Sequence, residues 1–392
     1  MILAHIRLAD VRCHCALETN LGPRINVVVG GNGAGKSSVL EAVCLDLQGN
    51  SPRTHRVTDC ISVGKDHLRV EILLVPESGT ERNSEEACAG AADAAGQRQT
   101  TAAVSFMRTG ERRHTADGRV LKKADRWAKL APVHTFFPDD LRLIKGGPNR
   151  RRQFLDDLVS ARNSEYALSV GRYAKALAHR NALLQRGDIG SQHDPWEWIL
   201  AEEGTAIVET RAGELAVFAP LYTCIHGRLT SGVSEGIKLV YRTNVGGLNV
   251  EEYRNILADQ RAGDCRRTFT HSGPHRDDIR FMLEGIDLRE AGSQGEQRTA
   301  LLGLILSAAE SVAASTSIRP ILLLDDVMSE LDYARRRALI ALLAEGGQSI
   351  VTTTDLHHFE EEEIQDITVI RLESPSSSGT EVRPDDEMTE AT

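Results

Sequence analysis

Short apolar runs alternate with long helical stretches along the chain. Residues 1 to 8 and 24 to 29 alternate or run apolar in the manner of strands. A glycine-rich turn follows, and Lys36 to Leu47 then predicts a helix. HLRVEILLVP (67 to 76) and AVSFMR (103 to 108) predict a strand pair. Between them, residues 81 to 101 are small and polar and predict a disordered hairpin insert. Asn149 to about Gly232 is helical in pattern, and GIKLVYR and DIRFMLEG return to strand. Gln294 to Ala314 predicts a long helix, and PILLLDD a buried strand bounded by Pro320 and two carboxylates. Tyr333 to Ala344 predicts a helix and SIVTTTD another strand. The pattern is that of an α/β core split by an inserted helical lobe. Residues 1–148 form the first part of the core, 149–232 the lobe and 233–372 the second part, with 373–392 a disordered acidic tail.

At 392 residues and 41% hydrophobic content, the chain is long enough for two or three domains with a large core. No apolar run approaches the ~18 residues of a membrane helix. The N-terminal segment, with His5, Arg7 and Asp10, does not read as a signal peptide. The seven cysteines include no C-x-x-C pair, and Cys13 and Cys15 lack the second half of a metal site. They read as thiols of a reducing, cytoplasmic compartment.

The formal charge of −10 conceals an uneven distribution. Residues 373 to 392 hold six acids and one Arg, whereas residues 108 to 152 hold thirteen Lys or Arg against five acids. The basic block is a local polyanion site or a solvated surface of mixed sign, and charge alone leaves both open. Arg150, Arg151 and Arg152 are its candidate DNA contacts.

VVVGGNGAGKSSVLEA (27 to 42) contains a complete G-x-x-x-x-G-K-[ST] motif, placed between a β-branched strand and a helix. Such a loop turns successive backbone N–H groups inward on phosphate oxygens, at the positive end of the helix. Gly30, Gly31, Asn32, Gly33, Ala34, Gly35, Lys36 and Ser37 are therefore candidate ATP-binding residues. Lys36 reaches the β/γ-phosphates and the Ser37 hydroxyl binds Mg²⁺. The strand ending in Asp325 supplies a second metal carboxylate, and Asp326 is placed to orient or deprotonate an attacking water. Lys36 and Asp326 are the candidate catalytic pair. Ser293, Gln294 and Gly295 precede a long apolar helix and form a second phosphate-facing N-terminus.

The order of these segments, with GGNGAGKSSVLEA, FFPDDLRLIKGGPNRRRQFLD (136 to 156), SGPHRDDI (272 to 279), GSQGEQRT and LLLDDVMSELD (322 to 332), resembles the RecF family of SMC-like, ABC-type ATPases over about residues 1 to 372. That resemblance implies a phosphate-loop ABC-type ATPase core and a weak, DNA-dependent ATPase. It implies an ATP-induced homodimer that clamps DNA at single-strand gaps and helps load recombinase. RecR is the implied direct partner, with RecO and RecA acting functionally. Ser293 and Gln294 would touch the γ-phosphate held by the other subunit, and Ser329 to Asp332 would line the dimer interface. Pro138 to Asp140 resembles the loop that senses metal and water, and Arg12 lies where a basic residue approaches the nucleotide. NSPRTH departs from the family pattern and leaves the role of Arg53 open. GPHRDD either braces the lobe or takes part in function, while His357 faces either solvent or the γ-phosphate.

Two rival functions stay open. One is a nucleotide-gated clamp with negligible turnover, favoured by Asp326, whose side chain is shorter than the Glu usual at this place. The other is a different SMC-like chromosome-maintenance or transport ATPase, for which no heptad array or docking surface is evident in the sequence.

Overall fold

Five parallel strands carry the centre of the molecule. β3 (Ile25–Val29), β8 (Val133–Phe136), β12 (Ile321–Leu324), β13 (Ser349–Thr353) and β14 (Ile367–Arg371) are ordered β14-β3-β13-β12-β8. The computed structural model describes residues 1–77, 99–121, 131–230, 232, 236–360, 363 and 367–373. β3, β12 and β13 are buried at every position, the mark of a parallel sheet covered on both faces. The two-residue side-chain period sorts them: Leu323 and Ile350 join one core cluster, and Leu322, Leu324 and Val351 join another.

On the first face lies helix α1 (Lys36–Leu47), and beyond it a six-stranded antiparallel sheet ordered β2-β1-β4-β5-β6-β7. These strands are β1 (Ile2–Val11), β2 (His14–Asn20), β4 (His67–Val75), β5 (Thr100–Met107), β6 (Arg112–Ala116) and β7 (Arg119–Val120). Between two sheets, α1 buries residues around its whole circumference, including Asp46. The Asp46 Oδ2 atom has no hydrogen-bond partner, and burial pushes this carboxyl up to about 8.

The opposite face is covered by α9 (Gln294–Thr316). The lobe contains α3 (Pro148–Ser160), α4 (Ser164–Gln185) and α5 (Asp194–Leu229). It does not close at residue 232: Tyr253 of α6 (Val250–Asp259) shares its apolar cluster, and the Arg180 guanidinium of α4 binds Asp264 of α7 (Arg261–Arg267). A small sheet of β9 (Ile237–Arg242), β10 (Asp278–Leu283) and β11 (Ile286–Asp287) joins lobe to core. Two single-turn helices, α2 (Arg142–Lys145) and α8 (Leu288–Ala291), and the longer α10 (Tyr333–Glu345) are the remaining α-helices among the described residues.

Several expectations need correction. Thr100 and Thr101, assigned to the insert, belong to β5 and pair with Leu74 and Leu73; residues 81–98 of the insert lie outside the described residues, as do 374–392 of the tail. Strands β2, β6, β7, β8 and β14 and helices α6 and α7 form where none was predicted. Among the described residues one helix, α9, is long and apolar enough by length and composition to cross a membrane, although it holds no continuous apolar run of that length. Its apolar length is instead taken up by the parallel sheet and α5, with Leu301 to Leu306 buried throughout.

Candidate functional site

Because β3, β12, β13, β8 and β14 run in one direction, their C-terminal ends open on a single edge of the sheet. Sites in open α/β sheets form at such an edge. The 30–37 loop leaves β3 here and enters α1. Gly35 has φ +87°, and a Cβ on it would lie 2.3 Å from His14 Nε2 and 2.5 Å from Cys13 Sγ. The turn between β1 and β2 is thus packed directly onto the loop, and His14 Nε2 lies 3.0 Å from the Gly35 carbonyl oxygen. At Gly30 a Cβ would meet the Leu372 carbonyl at 2.6 Å, so glycine is required for close backbone approach there too.

The α1 N-terminus has no side-chain cap and no acid in its first turn, which leaves its leading amides available to an anion. The nearly buried Lys36 ammonium donates to the Gly30 and Gly31 carbonyls at 2.7 and 3.0 Å. Ser37 Oγ donates to Asp325 Oδ1 at 2.8 Å, across 288 residues of sequence. Thr352 Oγ1 donates to the same carboxylate oxygen at 2.7 Å and accepts from the Asp326 amide at 2.9 Å. Two strand ends and the start of α1 therefore meet on one carboxylate. Sequence reasoning missed Thr352, although a threonine run ending a buried strand was its available signal.

Asp326 adopts φ +49°, an uncommon backbone for a residue other than glycine, and its Oδ1 atom is buried without a hydrogen-bond partner. It borders a cavity with Asp325, Pro138, Leu141 and the ion-paired Arg298 and Glu330. Pro138 to Leu141 forms a turn closed by Asp140, whose Oδ2 accepts from the Phe137 amide at 2.8 Å. Burial raises the Asp140 carboxyl above its ordinary value.

Ser293 caps α9 in a reciprocal box. Its Oγ and amide both donate to Glu296 Oε2, at 2.8 and 2.7 Å, and hold the Glu296 carboxyl below its usual range. Ser293 and Gln294 are exposed, and among the described residues no hydrogen bond joins residues 293–295 to the 30–37 loop. Ser329 donates to the Asp326 carbonyl, and Asp332 caps α10.

Other sequence candidates are placed differently. Arg12 forks onto Glu41 at 2.8 and 2.7 Å and also donates to the Asp59 carbonyl. Glu41 is fully buried and gathers Ser51 at 2.5 Å and Arg53 at 3.5 Å, so Arg12 and Arg53 anchor the back of α1. Hydrogen bonds from Arg12 and Ser51 hold the Glu41 carboxyl down against the opposing effect of burial. His357 is fully turned to solvent at 94% side-chain exposure.

Of the three candidate DNA arginines, Arg151 is buried and forks onto Asp278 at 2.6 and 3.1 Å. It also donates to the Leu143, Ile144 and Gly146 carbonyls. Half-buried Arg152 donates to the Asp277 carbonyl at 2.6 Å, and only Arg150 is exposed. Arg151 braces the lobe, because its buried guanidinium has no surface left for a phosphate, and Arg152 is tied to the same junction through the Asp277 carbonyl. GPHRDD is the other half of that brace. Asp277 Oδ2 accepts from Arg211 at 2.9 Å and from the Tyr241 hydroxyl, and Arg211 also binds Asp156.

Fold and loop–carboxylate geometry together define an ABC-type ATPase core of the kind found in SMC heads. The family model described as the RecF/RecN/SMC N-terminal domain matches residues 2–374. The DNA replication and repair protein RecF of Heliobacterium modesticaldum is 33% identical over 386 residues, covering 95% of this chain and 98% of that protein. RecF of Symbiobacterium thermophilum is 33% identical over 365 residues, covering 91% and 92%. A solved structure of the recombination mediator protein RecF with ATP, of the RecFOR pathway, superposes with a TM-score of 0.75 at 27% identity, covering 91% of this chain and 93% of that one. An SMC head bound to the C-terminal winged-helix domain of ScpA superposes at 0.55 with 15% identity, a likeness of fold alone. The chain belongs to the RecF family.

Proposed function

We propose that this chain binds ATP at residues 30–37 and uses it to close two copies on DNA, as a mediator of recombinational gap repair and replication restart. The observation that carries the reading is the 2.8 Å bond from Ser37 to Asp325, which joins the phosphate loop to the carboxylate strand. A hydroxyl and a carboxylate converging in this way are hard oxygen donors, and their chemistry fits Mg²⁺. Ser37 and Asp325 are the residues that would hold Mg²⁺, which when bound would supply positive charge against the phosphates. Lys36 adds an ammonium held on the loop carbonyls, and the α1 amides receive phosphate oxygens. Asp326, poised beside this group with one unpartnered oxygen, orients the attacking water.

Exposed Ser293 and Gln294, at a helix N-terminus that makes no hydrogen bond to its own 30–37 loop among the described residues, complete the site of a second copy. Two composite sites then form across a homodimer, with Ser329 to Asp332 at the interface. Slow ATP hydrolysis, stimulated by DNA, resets the clamp. Gapped DNA is the substrate and RecR the direct partner, with RecO and RecA acting in the same process in the cytoplasm. This assignment is supported by the RecF relatives that span nearly the whole chain and by the RecF–ATP structure of the RecFOR pathway.

A clamp with negligible turnover is the second reading. It is favoured by the short Asp326 side chain on a left-handed backbone, which restricts its reach to water. Binding to gapped, duplex and single-stranded DNA, with and without ATP over a salt series, tests the proposal. ATP is expected to tighten binding most on gapped DNA. Binding that ignores nucleotide at every salt concentration would remove the clamp.

A further inference from the structure

The segment RRTFTHSGPHR, residues 266 to 276, contains three arginines and no acid. Its two faces differ. The inner face is fixed by buried polar groups. The Arg180 guanidinium, fully buried among Glu197 and Asp264, donates to Thr270 Oγ1 at 2.8 Å. Asn181 Oδ1 accepts from the Thr270 amide at 2.8 Å, Tyr253 donates to the Ser272 carbonyl at 3.0 Å, and His275 bridges Tyr173 and the Thr270 carbonyl. The outer face presents Arg266, Arg267, Phe269, His271 and Arg276, all exposed.

Among the described residues none of these three arginines has a carboxylate at ion-pair distance; the next acid, Asp277, is buried against Arg211. The Arg276 guanidinium lies 4.9 Å from the Phe269 ring centre, and the His271 ring 6.5 Å from it. Thr268 holds φ +64°, a left-handed backbone that is a genuine outlier for a β-branched side chain. Strain of this kind persists only where the surroundings impose it. Here it lies immediately before the phenyl ring.

A rigid loop that displays an aromatic ring, a guanidinium plane and unpaired cations matches one chemistry well. Bases of a single strand stack on rings and guanidinium planes whatever their sequence, and their phosphates pair with flanking arginines. Bases stacked inside a duplex offer no free face to such a ring. We propose that residues 266–276 form a platform for single-stranded DNA, with Phe269 and Arg276 as stacking surfaces and Arg266 and Arg267 as phosphate partners. The proposal rests on the DNA-binding function above and assigns the single-stranded side of a gap to the lobe.

The test uses the full chain with ATP, a fluorescent oligothymidine and a duplex of equal length. Phe269→Ala is expected to weaken oligothymidine binding about tenfold and leave duplex binding unchanged. Phe269→Leu, which keeps apolar area without a ring, should resemble Phe269→Ala. Arg266→Glu with Arg267→Glu should flatten the single-strand salt slope by about 1.4, for two lost phosphate contacts. Melting curves establish that each variant is folded. Equal losses on both DNAs, or none on either, overturn the platform, and unchanged binding leaves this face to an acidic protein partner. A wild-type chain that binds no DNA at all defeats the parent function instead, so the two failures are distinguishable.

Discussion

Arg151 and Asp278 form a two-pronged ion pair across 127 residues of sequence, with the guanidinium buried and the carboxylate at the start of β10. Breaking a buried pair from one side leaves an uncompensated partner, which costs about 3 kcal/mol. Arg151→Glu is therefore expected to lower unfolding stability by about that amount, measured by chemical denaturation. The DNA-binding salt slope of whatever protein remains folded should be unchanged. A flattened slope with full stability would return Arg151 to the DNA surface.

The misreading of this triplet has a simple cause. Three consecutive arginines look alike in sequence, but an α-helix turns each side chain about 100° from the last. Arg150 consequently points to solvent, Arg151 into the lobe–core junction and Arg152 along its edge. Helix α1 was legible to the residue, because a glycine turn starts it and apolar residues continue it. β8, only four residues long with His134 and Thr135 at its middle, offered no apolar run. Asp325 was legible as the end of an apolar strand. Its contact with Thr352 was not, since that depends on which strands become neighbours.

Lys36→Ala removes the ammonium from the phosphate loop. ATP-stimulated DNA binding should fall to the nucleotide-free level, while stability drops by only about 1 kcal/mol for the lost carbonyl bonds. Normal nucleotide stimulation in a folded variant would disprove the role given to the loop.

Asp326→Asn is a clean probe because asparagine also tolerates the left-handed backbone found at this position. ATP binding is expected to persist while single-turnover hydrolysis slows, prolonging the dimer. A wild-type hydrolysis rate would show that the carboxylate charge plays no part.

Lys36→Met and Ser293→Arg should each inactivate a homodimer. Mixed without nucleotide so that subunits exchange, and then given ATP, they should form dimers in which one composite site carries both defects and the other none. Recovery of up to about half the ATPase activity is expected if the sites act independently. Mixed dimers with no activity at any ratio would argue against independent composite sites.

Asp46 predicts a pH signature. Burial pushes its folded-state carboxyl up to about 8, against about 4 for an ordinary aspartate, so the fold holds the proton more tightly than the unfolded chain does. Its contribution to stability is therefore greatest at low pH and is lost progressively as pH rises from about 4 through 8. Asp46→Asn should be more stable than wild type at pH 8.5, by roughly 1–3 kcal/mol, and the difference should shrink toward pH 5. A difference independent of pH would mean that Asp46 does not titrate in this window.

The neighbours of β3 in the parallel sheet are β13 and β14, drawn from the far end of the chain: Val27 lies beside Val351 and Val369. During synthesis the phosphate loop emerges early, yet both flanking strands arrive some three hundred residues later. Closing so long a loop carries an entropic cost that only the finished sheet repays. A truncated or stalled polypeptide can carry every residue of the 30–37 loop and still lack the strand that holds Asp325, so the contact between Ser37 and that carboxylate exists only in a chain synthesised through to its distant strands.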